Sequence, residues 1–464
     1  MSRHHELDEI LAELYARQPE QHIRPRLEPT ARLVGLMGDP QKNYGIIHIT
    51  GTNGKTSTTR MIERILREHN LRTGRFTSPH LVHINERIAL DGVPVEDERL
   101  ASVWDDIQPA LEIADRELLA AGEAKLTFFE ALAVLAFAVF ADAMIDVLVL
   151  EVGMGGEWDS TNVADGDVAV FTPIDLDHTE RLGATIADIA ETKAGIIKPG
   201  AIVVSSAQTP AAREVLERRS SIATRLVWLG EDFSVESQGK NRGVQTFAVS
   251  GLAGNYSSLG LRLFGEFQIS NAAVAVAAVE AFLGGGEHPI NHDLLQIALL
   301  EADSPGRMQL VAGEPDILLD AAHNPSGVQT LVSSLESDFA DRFRVAVISI
   351  LADKDAKGMF ERMADCFDYI VVTQSSSPRA ISVAELEKIA SAVLDPKKIK
   401  AAPSLVEAIS LAGSLIAKAS DVIQAPDGKS DAGVRDGLVV VSGSISLVGD
   451  FLASQLPSEE THGD

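Results

Sequence analysis

A single cysteine, Cys366, occurs in 464 residues. A disulfide within the chain is excluded, and a reducing compartment is expected. Basic residues are scarce as well: 40 Lys and Arg stand against 67 Asp and Glu, a net charge of −27. Such a surface repels nucleic acid and anionic membrane, so neither is expected as a partner. Anionic substrates must therefore be drawn in by local groups. Long apolar runs are missing too. The longest, residues 131–141, is too short to span a bilayer. The opening Met1-Ser2-Arg3-His4-His5-Glu6-Leu7 lacks the apolar core of a signal peptide. No repeat or long low-complexity tract occurs. The location expected from these absences is cytoplasmic.

What is present reads as a soluble α/β protein of more than one domain. Strand-like apolar runs alternate with helical patterns, which argues for parallel sheets. Buried strands are expected at 145–150, 168–171 and 201–204, and helices at 95–121, 127–141, 186–196 and 268–283. Residues 228–263 alternate and are rich in Gly and Ser, closer to antiparallel strands. A boundary is expected near Glu301-Ala302-Asp303-Ser304-Pro305-Gly306. Beyond it a second α/β cycle has strands at 316–320, 345–348, 369–372 and 438–441, with helices at 383–392 and 405–417. The domains expected are thus 1–303 and 304–464.

The densest signal is Thr50-Gly51-Thr52-Asn53-Gly54-Lys55-Thr56-Ser57, after the apolar run Tyr44-Gly45-Ile46-Ile47-His48-Ile49 and before a helical pattern at 58–69. Strand, glycine turn and helix N-terminus in that order make an anion site. Gly51 and Gly54 let the backbone close on an oxyanion. Lys55 can reach outer phosphates, and the Thr56 hydroxyl can reach Mg²⁺. The loop is a shortened variant of G-x-x-x-x-G-K-[ST], since Ile49 stands where the first glycine belongs.

Other polar residues fall at strand ends, where ligands of open α/β sheets bind. Glu151, before Val152-Gly153-Met154-Gly155-Gly156, suits Mg²⁺ or simply a solvated strand end. His178 follows a strand in Asp175-Leu176-Asp177-His178-Thr179. Ser78 could meet a metal or cap a turn. Lys193, by itself, is a lysine favouring a helix C-terminus. In the second half, Arg307 suits a phosphate, Asp320 a ribose or base edge, and His323 a phosphate or a helix cap.

Together these landmarks resemble the folylpolyglutamate synthase/dihydrofolate synthase family of the Mur ligase superfamily. The resemblance spans residues 23–452. It rests on the loop above, Thr77-Ser78-Pro79-His80-Leu81, Asn85-Glu86-Arg87-Ile88, Glu151-Val152-Gly153-Met154-Gly155-Gly156, Asp159-Ser160-Thr161-Asn162, Asp177-His178-Thr179, Lys193-Ala194-Gly195-Ile196, Asp320-Ala321-Ala322-His323-Asn324-Pro325 and Asp353-Lys354-Asp355. It implies an N-terminal P-loop ATPase domain that also binds the pterin. It also implies a smaller Rossmann-like C-terminal domain that closes over ATP and binds glutamate. The implied activity is ATP-dependent addition of L-glutamate to folates, and to dihydropteroate, through an acyl phosphate.

The resemblance also implies roles. Gly51, Thr52, Asn53, Gly54, Lys55, Thr56 and Ser57 would wrap ATP, with Asn271, Arg307, Asp320 and His323. Thr56, Ser78, Glu151, His178 and Lys193 would hold two Mg²⁺ ions, Lys193 as a carbamate; Lys55, His178 and Lys193 would be catalytic. The pterin would lie among Arg24, Pro25, Arg26, Pro79, His80, Arg87, Thr127, Phe128, Phe129, Glu130, Trp158, Asp159 and Ser160. Arg379, Asp353 and Lys354 would take the incoming glutamate. A monomer is expected. Two features depart from the family: Ser349 stands where glycine is expected, and the polar loop at 425–437 is longer. The rival readings are a Mur ligase acting on a UDP-sugar peptide and a nucleotide-binding switch that makes no product. Only about forty residues precede the loop, which leaves little room for a separate UDP-binding domain.

Overall fold

The computed structural model describes residues 7–19, 25–241, 243–423 and 436–456. It divides into two compact units: Met1–Arg262 with Gln268–Asp303, and Leu263–Phe267 with Ser304–Asp464. Phe264 and Phe267 pack on the second unit's core, with the Phe264 ring 5.2 Å from that of Phe339.

Among the described residues, the first unit holds an eight-stranded sheet. Its strands are β1 (Gly45–Thr50), β2 (Thr73–Phe76), β3 (Ile88–Leu90), β4 (Val93–Pro94), β5 (Val147–Glu151), β6 (Val168–Phe171), β7 (Ile202–Ser205) and β8 (Arg225–Trp228). The order is β4-β3-β2-β5-β1-β6-β7-β8. From β2 to β8 neighbours run parallel, but β3 and β4 are antiparallel at the edge. The purely parallel expectation fails there because Asp91 and Gly92 both adopt positive φ (49° and 82°). That Asp-Gly pair is a two-residue hairpin turn.

The helix Phe128–Asp142 is apolar all round and is buried over most of its length. The helix Asp97–Ala120 buries Trp104, Ile107 and Leu111. The helix Phe267–Gly284 is long and apolar enough to cross a membrane, yet 72% of it is buried inside the fold. It is a core helix. β9 (Ser234–Asn241), β10 (Val244–Ser250) and β11 (Asn255–Leu261) form a separate antiparallel sheet, as the alternation at 228–263 predicts.

The second unit's six-stranded sheet has β12 (Gln309–Val311), β13 (Asp316–Leu319), β14 (Phe343–Ile348), β15 (Tyr369–Val372), β16 (Ile399–Ala401) and β17 (Gly437–Ser442). They are ordered β12-β13-β17-β14-β15-β16, with only β12 antiparallel to its neighbour.

One buried ion pair braces the loop-bearing elements of the first unit. Arg75 on β2 donates to Glu63 at 3.1 Å, with side chains 3% and 2% exposed. The Thr73 hydroxyl donates to the same carboxylate at 2.8 Å. Burial, then nearby Arg60, draws Arg75 down to about 10, still charged at neutrality. Removing one partner leaves a charge stranded in the interior. Glu63→Ala should therefore cost about 3–5 kcal/mol of this unit's stability. Chemical denaturation measures this, and a loss below about 1 kcal/mol would show that the pair is not what Arg75 depends on.

Candidate active site

β1 ends at Thr50, and Gly51 turns with φ 150°. A Cβ there would lie 1.9 Å from the Thr172 hydroxyl, so no side chain fits. The Thr52 N–H donates to the Pro173 carbonyl at 2.8 Å. The Thr52 hydroxyl donates to the Asp175 carbonyl and accepts from the Asp175 N–H, at 2.9 and 3.0 Å. The loop is thus sewn to the segment after β6. Gly54, at φ 86°, precedes the helix Lys55–Glu68 and offers no side-chain cap. The helix begins three residues before the expected 58, with its dipole facing the loop. Asn271 reaches this turn: its Oδ1 lies 3.0 Å from where a Gly54 Cβ would be. Asn271 donates to Gln268 at 3.1 Å, and Gln268 donates to Ser57 at 3.4 Å.

The C-terminal ends of four adjacent strands gather the other candidates. Phe76 pairs with Leu150, Ile49 with Glu151, and Thr50 with Phe171. Hence Ser78 follows β2, Glu151 ends β5, the phosphate loop follows β1, and Asp175 to His178 follow β6. Thr56 donates to Glu151 at 3.0 Å. His178 sits at φ 50° with Nε2 3.7 Å from Asp177.

Two lysines converge on one carbonyl. Lys55 Nζ donates to the Gly51 and Thr52 carbonyls at 3.0 and 3.1 Å. Lys193 Nζ donates to the same Gly51 carbonyl at 2.7 Å and is only 4% exposed. Burial, and then the charge on Lys55, holds Lys193 well below the usual lysine range; Asp177 and Asp159 oppose this. Among the described residues no group of three or more His, Cys, Asp or Glu could hold a metal. Glu151 and the hydroxyls suit a hard ion that keeps waters and phosphate oxygens in its shell.

The expected pterin residues divide into two kinds. Thr127 and Glu130 form a capping box, at 3.2 and 2.6 Å, and Glu130 also takes Arg26 bidentately at 2.9 Å. These groups are committed to structure. Phe129 packs on Phe76 at 5.9 Å and against Gly153, where a Cβ would touch its ring at 2.5 Å. Phe128 stacks on Tyr15 at 5.3 Å, under the Arg87 guanidinium at 5.4 Å. Arg87 in turn donates to His80 at 2.8 Å, next to the cis Ser78-Pro79 bond. Trp158 packs on the satellite core around Leu182, and Ser160 accepts from Thr30 at 3.4 Å. Pro25 is exposed, and Arg24 lies outside the described residues.

Asp159 is 4% exposed and takes the Met154 N–H, the Thr161 N–H and the Thr161 hydroxyl at 2.9, 3.0 and 2.6 Å. Burial raises its pKa against those donors. Sequence reading did not single out Thr161 or its partner His48.

In the second unit, Asp320 follows β13 and accepts from Ala322 and Met308 N–H at 2.9 and 3.0 Å. Burial raises its pKa, and Arg307 is the largest opposing influence. His323 Nδ1 pairs with the Ala321 carbonyl at 2.9 Å. The helix Pro325–Asp338 is capped by Asn324, not by His323. Arg379 pairs with Asp353 at 3.2 Å, beside Lys354. Ser349 is buried, and its hydroxyl accepts the Ser375 N–H at 3.0 Å, so serine has a use where glycine was expected. The long polar loop lies, through residue 435, outside the described residues.

Residues 49–279 match the Mur ligase middle domain, and residues 306–425 match the Mur ligase glutamate ligase domain. The dihydrofolate synthase/folylpolyglutamate synthase of Mycobacterium tuberculosis is 40% identical over 444 residues, 93% of this chain and 90% of that protein. The Bacillus subtilis protein of the same description is 32% identical over 374 residues, 77% of this chain and 83% of its own. Among solved structures, Mycobacterium tuberculosis folylpolyglutamate synthase complexed with ADP has a TM-score of 0.89 at 38% identity, over 97% of this chain and 98% of that one. Thermotoga maritima folylpolyglutamate synthase has a TM-score of 0.79 at 30% identity, over 97% of each chain.

Proposed function

The chain belongs to the dihydrofolate synthase/folylpolyglutamate synthase family of Mur ligases, and from that premise we propose how its own residues make the amide bond. It is an ATP-dependent ligase that joins L-glutamate to a pterin acid. The carboxylate of dihydropteroate or a folate attacks the γ-phosphorus of ATP. ADP leaves and an acyl phosphate forms. The glutamate amine then attacks the acyl carbon, and phosphate departs.

Residues 51–57 and Asn271 bind the ATP phosphates. Lys55 offsets charge on the transferring group, so catalysis here is positioning and electrostatics. Thr56, Ser78, Glu151, His178 and a carbamate on Lys193 would hold two Mg²⁺ ions, which would supply Lewis-acid stabilisation of the negative charge that develops on the phosphate. Pro79, His80, Arg87, Phe128, Phe129 and Trp158 line the acceptor. Arg26, Thr127, Glu130, Asp159 and Ser160 brace that lining. The first unit binds ATP and the pterin. In the second, Arg307, Asp320 and His323 serve ATP, while Arg379, Asp353 and Lys354 serve glutamate. The location is the cytoplasm, and the working form a monomer.

The observation that carries this reading is the meeting of Lys55 and Lys193 on the Gly51 carbonyl, beside Thr56 on Glu151. The test is ADP release with and without glutamate, comparing dihydropteroate with tetrahydrofolate as acceptor. Release beyond a single turnover should require acceptor and glutamate together. A nucleotide switch would release ADP regardless of glutamate.

A further inference from the structure

His48 and Thr50 alternate with Ile47 and Ile49 on β1, so they share one face of the strand. Both reach the polypeptide that follows β5. Thr50 donates to the Gly155 carbonyl at 2.8 Å. His48 Nε2 lies 2.9 Å from the Thr161 hydroxyl. That hydroxyl spends its hydrogen on Asp159 at 2.6 Å, so it can only accept from His48. The His48 ring is therefore the Nε2–H tautomer, assigned by the network. Asp159 passes the constraint on to the Met154 N–H at 2.9 Å. The chain runs from the strand that feeds the phosphate loop to the glycine turn 153–156. That turn meets Phe129 at Gly153 and Trp158 at Gly155.

His48 is fully buried, and its Nδ1 has no hydrogen-bond partner among the described residues. Burial, with a smaller effect of Lys198, holds the ring neutral, at a pKa of about 3. Gly166 closes the space beside it: a Cβ there would be 3.0 Å from the His48 Cβ. An apolar side chain would fill the site without stranding a polar atom, so packing alone gives no reason for histidine. The Nε2–H is what histidine adds.

We propose that His48 is a positioning residue for the acceptor: through Thr161 and Asp159 it fixes the glycine turn that backs Phe129 and Trp158, and so the wall against which the flat pterin lies. The proposal rests on the acceptor assignment made above. Its action is on acceptor binding, not on the phosphate loop, which the Thr52 bonds to Pro173 and Asp175 hold independently.

The test compares His48→Met with His48→Gln, whose Nε2 can replace the lost donor. His48→Met should raise the acceptor KM about tenfold, the size expected when a supporting hydrogen bond is lost, with the KM for ATP nearly unchanged. His48→Gln should recover most of that loss. Thr161→Val should match His48→Met, and the double variant should be no worse than either single one. Should His48→Met fail to fold, Thr161→Val against Thr161→Ser asks the same question. Equal rises in the ATP and acceptor KM, or no recovery with Gln or Ser, would overturn the relay. Phe129→Ala separates the two levels. An unchanged acceptor KM in Phe129→Ala sinks the acceptor site itself; a raised one, with His48→Met and Thr161→Val both normal, sinks only the relay.

Discussion

Lys55→Ala should lower ligase turnover by about 10²–10³-fold or more, the scale of removing one preorganised charge-stabilising donor. The fold should survive. Lys55 Nζ donates to the carbonyls of its own loop, at 3.0 and 3.1 Å, and alanine is a strong helix former at the start of Lys55–Glu68. The Thr52 bonds to Pro173 and Asp175 do not pass through this side chain. The lost group is the cation that, on the proposed mechanism, serves the transferring phosphate. Steady-state ADP release checks activity, and thermal unfolding checks the fold. Turnover within a few-fold of the parent would remove the phosphate loop from the mechanism. A second readout follows from charge: with Lys55 gone, one of the influences depressing Lys193 disappears, so the buried amine should titrate higher.

The parts of this site that were legible in sequence are those made of neighbours in the chain. Gly51, Gly54, Lys55 and Thr56 sit within one turn, and the strand before them and the helix after them announce an anion site. The buried strands were legible because near-continuous Val, Leu and Ile runs suit a sheet covered on both faces. Asp91-Gly92 was an equally local hairpin signal, and its antiparallel edge went unread. Thr127 and Glu130 carry a capping-box spacing, and the structure forms that box. What could not be read were long-range partners. His48 and Thr161 are 113 residues apart. Lys193 lies 142 residues from Gly51, whose carbonyl it bonds. Its own neighbourhood looks like an ordinary helix end, and only the fold reveals a buried amine beside another cation.

That placement gives the second large expectation: Lys193→Ala should lose ligase activity by about 10²–10³-fold, and short carboxylic acids such as acetate should restore part of it. A lysine ammonium buried against Lys55 is electrostatically poor, and the depressed pKa raises the share of neutral amine over that of an ordinary lysine. A neutral amine can attack CO₂: the N–C bond forms, one proton leaves, and a carbamate anion replaces the cation. The carbamate turns a repulsive pair into an attractive one beside the phosphate loop. A small acid diffusing into the Lys193→Ala cavity would supply the same carboxylate without the tether, hence partial rescue. The pH dependence has a definite sign. Below the depressed pKa the amine is protonated and the carbamate is lost, so CO₂-dependent activity should fall as pH drops. Stability follows the same sense: in the window below the ordinary lysine value the unfolded chain holds a proton that the fold releases, so stability rises with pH. Lys193→Ala should flatten that rise. Activity in CO₂-depleted buffer, with and without added bicarbonate, measures the first effect, and denaturation across pH measures the second. Full activity of Lys193→Ala, or a loss that no carboxylate relieves in a folded protein, would rule out the carbamate and leave Lys193 as a strut for the Gly51 carbonyl.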